Sequence, residues 1–146
     1  MIGIDAIPDG THVALDTVAL IYFLERHETF GEPAARLFER IETGALRASM
    51  STLVLTELLV PLYRAGRARD VSALARRLEN FRNLESRSVD PLVATEAARL
   101  RARHGLRTPD AIHAASAVLA GAAGIVTHDR AFTALRGELE VWTFDA

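Results

Sequence analysis

Short apolar runs with the look of buried strands recur along this chain, and a helical stretch stands between successive ones. "HVALD" (12–16) reads as a buried strand ending in an acid, and "TVALIYFLERHE" after it as a helix with an apolar face. "EPAARLFERIETG" (32–44) is a second helix, with proline in its first turn and Gly44 as its stop. "LRASM" (46–50) alternates like a strand, and Ser51 is a good N-cap for "TLVLTELLVPLYRAG". "ARDVSALARRLENFR" continues as an amphipathic, arginine-rich helix, "LESRSV" is a weak strand, and "PLVATEAARLRARHG" runs as a helix from proline to glycine. An alanine-rich helix after "LRTPD", the strand Gly124–Thr127, a short helix "RAFTALRG" and a last strand "LEVWTF" complete the chain. Strands separated by helices require crossover connections, so the expected fold class is α/β, with a mostly parallel sheet covered on both faces. In such sheets ligands gather outside the carboxyl ends of the strands.

Acids stand at those positions. Asp16 closes the first apolar strand, Asp129 follows the strand at 124–127, and Asp110 opens the alanine-rich helix. Each has a plain structural reading. "Thr108-Pro109-Asp110" is a good helix opening, with a capping hydroxyl, proline at the first helical position and a carboxylate near the positive end of the dipole. Asp129 can cap "RAFTAL", and Thr17 can cap the helix after Asp16. Glu57 is the most informative acid, because it lies within "LVLTELLVPLY" with leucines on both sides. A carboxylate rarely enters a core without a partner, although it could instead turn to the solvent face. Pro61, four residues on, cannot donate to the Glu57 carbonyl and should bend the helix there.

Taken together the acids demand a positive charge. Two carboxylates about 4 Å apart repel by roughly 4 kcal/mol at an effective dielectric near 20, so a cluster stays ionised only around a cation. All 17 basic residues are arginine and there is no cysteine. Lysine chemistry, P-loop phosphate binding, disulfides, thiol catalysis and thiolate metal sites are thereby excluded. The candidates that remain are arginine or a hard divalent cation, and magnesium prefers oxygen ligands while keeping several waters. The net charge of −2 argues against coating nucleic acid by bulk charge, but not against a local grip.

Asp16 in "ALDTVALIYFLE", Glu57 in "STLVLTELL", Asp110 in "LRTPDAIHAASAVLAG" and Asp129 in "IVTHDRAF" resemble the four acids of PIN-domain nucleases, most closely the VapC toxins of toxin–antitoxin pairs. The similarity runs through nearly the whole chain in order, and "TPDAIHAASA" followed by "GIVTHD" is its most specific part. It implies a three-layer α/β/α sandwich over residues 1–146 as a single domain, cleaving RNA with magnesium or manganese (Mg2+ or Mn2+). Carried over, Asp16 and Asp110 would be the principal metal ligands, Asp129 would hold the metal directly or through water, and Glu57 would orient water or a second ion. Thr127 would support the site through its hydroxyl, and His128 departs from a position often filled by asparagine. A cognate antitoxin and a homodimer are implied as partners, besides the RNA substrate.

His113 shares a helix face with Asp110 and is expected to pack against the sheet or a partner subunit rather than bind metal. Arg99, Arg101, Arg103 and Arg107 approach Asp110 along the chain, and Arg64, Arg67 and Arg69 cluster near the end of the Glu57 helix. Arg103 and Arg107 are the candidates for RNA phosphates. No signal peptide or membrane span is discernible, so a cytoplasmic location is expected. The competing readings are a nuclease-inactive PIN-like module that binds RNA or protein, and a metal-dependent phosphatase. A strand-end "DxD" phosphatase would want an acid where this chain has Val18.

Overall fold

The apolar runs do become strands of one sheet. In a computed structural model describing residues 1–145, β1 is Ile2–Gly3, β2 His12–Leu15, β3 Arg47–Ser51, β4 Leu84–Arg87, β5 Gly124–Val126 and β6 Glu140–Thr143. Every pairing is parallel, in the order β1-β6-β5-β2-β3-β4. The helices are α1 Thr17–Leu24, α2 Gly31–Glu42, α3 Leu53–Arg64, α4 Val71–Glu79, α5 Pro91–His104 and α6 Thr108–Leu119, with 3₁₀ turns at Ile4–Ala6, Ala68–Asp70 and Arg130–Leu135.

Alternation along each strand divides the interior into two cores. Val13 and Leu15 of β2, Ala48 and Met50 of β3 and Trp142 of β6 face the apolar sides of α1 to α4. Ala14, Ile125 and Val141 face the other way, onto α5, α6 and the turn Arg130–Leu135. The result is the expected three-layer α/β/α sandwich, with its sheet wholly parallel. Gly124 is where β5 meets β6 most closely: a Cβ there would lie 2.4 Å from the Glu140 carbonyl oxygen and 2.7 Å from the Trp142 ring.

Connectivity creates a crevice at a defined place. From β2 the chain steps outward through β3 to β4, then returns over the opposite face to place β5 on the other side of β2. The strand order therefore reverses between β2 and β5, the topological switch point where such sheets bind ligands.

Several local expectations are corrected. The helix after Asp16 stops at Leu24, short of the Glu28 that its pattern suggested, and Arg26 just beyond has a positive φ of 50°. The first residue of α6 is Thr108, and its N-cap is Arg107, so the Thr108 hydroxyl does not cap. Ser51 ends β3 rather than capping α3, though its Oγ still accepts a hydrogen bond from Leu53 N at 3.1 Å. As expected, the helix carrying Glu57 runs on through Pro61, ending at Arg64. β1 had no sequence signal.

Candidate active site

Asp16 leaves the carboxyl end of β2 and is itself the N-cap of α1, the role left open for Thr17. Its Oδ1 accepts from Thr17 N at 2.7 Å and its Oδ2 from Thr127 Oγ1 at 2.8 Å. Burial pushes the Asp16 carboxyl above the ordinary aspartate range, opposed by the nearby His113 and the two hydrogen bonds. Thr127, fully buried at the end of β5, links two of the acids: its hydroxyl donates to Asp16 and accepts from Asp129 N at 3.1 Å.

Glu57 arrives from α3 and meets two donors. Thr17 Oγ1 donates to its Oε1 at 2.8 Å, and His113 Nε2 donates to the same oxygen at 2.5 Å. The hydrogen bond from His113 holds the Glu57 carboxyl below its ordinary range. Glu57 is thus neither core nor free surface: its side chain is 39% exposed while its carboxylate is anchored inward. His113 also lies 3.7 Å from Asp16 Oδ1, so one buried imidazole stands between two of the acids. With Nε2 donating, its Nδ1 has no partner among the described residues.

Asp110, in the first turn of α6, is buried at 7% exposure, yet its carboxylate accepts no helix N–H. Its one partner among the described residues is Arg107 Nε at 3.4 Å. A carboxylate held this loosely is not a cap. Asp129 does cap, accepting Ala131 N at 2.9 Å through Oδ1.

The acids Asp16, Glu57, Asp110 and Asp129 line one open cleft of about 890 Å3 at the switch point, together with Arg107 and Arg130. Arg103 is exposed and does not line it. Arg99 is engaged by Glu96 and Glu138, Arg101 by the Leu106 carbonyl, and Arg67 by Asp70. Sequence reasoning missed the far wall. There Tyr22 Oη donates to His128 Nδ1 at 2.7 Å, His128 Nε2 donates to Asp145 Oδ2 at 3.1 Å, and Thr143 Oγ1 donates to Asp145 Oδ1 at 2.7 Å. A polar tyrosine on an apolar helix and an acid just after the last strand were the available signals.

Among the described residues no three His, Asp or Glu side chains converge as a ready-made chelate. The donor set instead offers lone pairs on separate carboxylates around a wet cleft, with no thiolate. That suits a hard cation holding few protein oxygens and several waters, and does not suit a closed tetrahedral zinc cage. An apolar groove of about 460 Å3 adjoins, running from Glu57 between α1, α3 and α4 past Ile21, Leu58 and Leu62.

Comparison with known proteins places the architecture. The PIN domain family matches residues 13–138. No curated protein matches the chain in sequence. Among solved structures, VapBC2 from Rickettsia felis bound to a promoter DNA fragment is similar at TM-score 0.67 and 18% identity, covering 92% of this chain and 99% of that one. A toxin–antitoxin complex from Klebsiella pneumoniae gives TM-score 0.64 and 18% identity over 88% and 94%. VapBC-5 from Mycobacterium tuberculosis, of the VapBC family of toxin–antitoxin systems, gives 0.57 and 22% over 93% and 99%.

Proposed function

The chain belongs to the PIN-domain family, and from that premise we propose that it is a metal-dependent endoribonuclease, the toxin of a toxin–antitoxin pair. The observation that carries the reading is the convergence of Asp16, Glu57, Asp110 and Asp129, from four separate segments, on one cleft at the switch point. Asp16 and Asp110 would hold Mg2+ or Mn2+, with Asp129 binding directly or through water. Such a metal would supply Lewis acidity toward water and toward the phosphate oxygens of the substrate.

The chain's own groups supply orientation. Glu57 Oε1 is held by Thr17 and His113, which leaves Oε2 to accept the proton of the attacking water. Thr127 fixes the spacing of Asp16 and Asp129 by bonding to both. Arg107, the better supported of the two arginines considered for RNA, would steady a phosphate beside Asp110.

The similar structures include toxin–antitoxin complexes, which supports a protein inhibitor for this chain. The apolar groove beside Glu57 would seat an inhibitor segment, and an arginine from it could enter the acids, since its planar fork pairs carboxylates bidentately. We further propose that residues 1–146 act as one nuclease domain, that it is cytoplasmic, and that it pairs as a homodimer. Among the described residues no helix is long and apolar enough to cross a membrane.

The deciding experiment is RNA cleavage by inhibitor-free protein. Cleavage should vanish in EDTA and return with magnesium or manganese. Undiminished cleavage in EDTA would overturn the metal site, whereas RNA binding without any cleavage would leave a nuclease-inactive binding module.

A further inference from the structure

Beside the acid cleft runs a second depression of opposite charge. The segment Arg130–Leu135 is a 3₁₀ helix, and with three residues per turn its side chains at i and i+3 fall in one row. Phe132 and Leu135 form the row facing the core, both fully buried. Arg130 and Thr133 form another, and together with Arg136, the residue just past the helix, they line a depression of about 440 Å3 bounded by Met1, Thr143 and Asp145. Arg130 and Asp145 also line the acid cleft, so the two depressions are continuous.

Neither Arg130 nor Arg136 has a carboxylate within ion-pair distance among the described residues. The nearby acids are engaged elsewhere, Glu138 by Arg99 and His104, and Asp145 by His128 and Thr143. The Thr133 hydroxyl donates back to the Arg130 carbonyl at 2.7 Å, so the donors these three residues offer are the two guanidinium groups. Arg130 opens the helix and Arg136 follows its last residue; at about 2.0 Å of rise per residue the helix between them spans about 12 Å, far enough for the two to meet different phosphates of one strand. A cleft full of carboxylates repels every phosphate except the one a cation neutralises, so a bound strand needs positive charge to either side. Arg107 and Arg130 both line the cleft, one beside Asp110 and the other following Asp129.

We propose that Arg130 and Arg136 form a phosphate-binding rail that grips the RNA strand as it leaves the acid cleft. The inference rests on the ribonuclease reading for its ligand. The guanidinium fork matches phosphate oxygens bidentately, which favours a nucleic acid backbone over a diffuse anion.

The test uses fluorescence polarisation of a labelled single-stranded RNA of mixed sequence, titrated with full-length Asp16→Asn protein in magnesium chloride over a range of KCl. Arg136→Ala in that background should weaken binding about fivefold, as expected for a solvent-exposed charged contact. It should also lower the slope of log affinity against log salt by about 0.7, one phosphate on a single strand. Arg136→Glu should weaken binding further. Arg82→Ala, an exposed arginine beside the opposite edge of the sheet, removes the same charge and should change neither quantity. Equal losses in the Arg136 and Arg82 variants would reduce the effect to bulk charge and overturn the rail. So would an Arg136 effect confined to binding of the protein inhibitor, or a parent protein that binds no RNA. Cleavage is read separately in the wild-type background: RNA held through Arg136 but never cut would keep the rail and sink the nuclease.

Discussion

Replacing Asp110 separates chemistry from capping, because its carboxylate sits in the first turn of α6 without bonding to it. Asp110→Asn gives up an interaction with the helix dipole worth about 1 kcal/mol, and at most about 2 for a carboxylate this buried. The contact with Arg107, whose side chain is 78% exposed, adds at most about another 1 kcal/mol. Against these stands relief of repulsion from Asp16, Glu57 and Asp129 in the metal-free protein. The terms oppose, so the net change should stay within about 1 kcal/mol. At roughly 2.1 cal/mol/K per residue of unfolding entropy, that is about 3 °C in Tm for a chain of this length.

Asp110→Ala should melt with Asp110→Asn, since no cap is lost. Asp129 provides the contrast. Its Oδ1 does cap the 3₁₀ helix, so Asp129→Ala should fall about 1 kcal/mol below Asp129→Asn. All four variants should nevertheless cut RNA at least about 100-fold more slowly, because each removes a charged oxygen donor from the proposed metal. Calorimetry in EDTA and initial cleavage rates in magnesium read the two effects independently. An Asp110→Asn protein with the wild-type rate, or an Asp110→Ala protein about 3 °C less stable than the asparagine variant, would show that Asp110 is a helix cap and not part of a site.

Metal-free stability should respond to pH in opposite senses at Asp16 and Glu57. Burial raises the Asp16 pKa in the fold, so its contribution is present below the unfolded value and lost as pH rises; Asp16→Asn should therefore melt higher than wild type at pH 7 and lose that advantage in acid. The hydrogen bond from His113 lowers that of Glu57, so its contribution is present above the unfolded value and lost as pH falls; Glu57→Gln should melt lower at pH 7 and converge with wild type in acid, both read by melting curves in EDTA. Thr17→Val keeps the shape of a buried side chain but deletes the donor to Glu57 Oε1, and should lower kcat about tenfold with KM little changed; an unaltered kcat would show that Glu57 needs no anchoring. Expression of the wild-type protein alone should arrest bacterial growth while Asp16→Asn does not, and equal growth with both proteins soluble would remove the toxin assignment.

What could be read from the sequence follows a physical rule. Five of the six strands were legible, though not for one reason: His12–Leu15 and Gly124–Val126 are apolar enough for a buried sheet, Arg47–Ser51 showed through alternation, and Leu84–Arg87 gave only a weak signal. β1 was not, since two residues carry no period and its pairing of Ile2 with Trp142 is set by contacts across the whole chain. The cap of α6 was misassigned because "RTPD" is locally consistent with either Arg107 or Thr108 as the residue before the first turn. The acids were legible for the opposite reason to the apolar strands: each contradicts the hydrophobic pattern around it, and a buried charge needs a cause. Their partners break no pattern. A threonine opening a helix, as Thr17 does, and a histidine on an alanine-rich face, as His113 does, are each unremarkable alone, and they meet Glu57 across 40 and 56 residues of chain. Arg130 and Arg136 were hidden in the same way, because residues at the two ends of a short turn come to line one depression only once the chain is folded. A chain read alone reveals groups that are out of place; only the fold reveals ordinary groups that have been brought together.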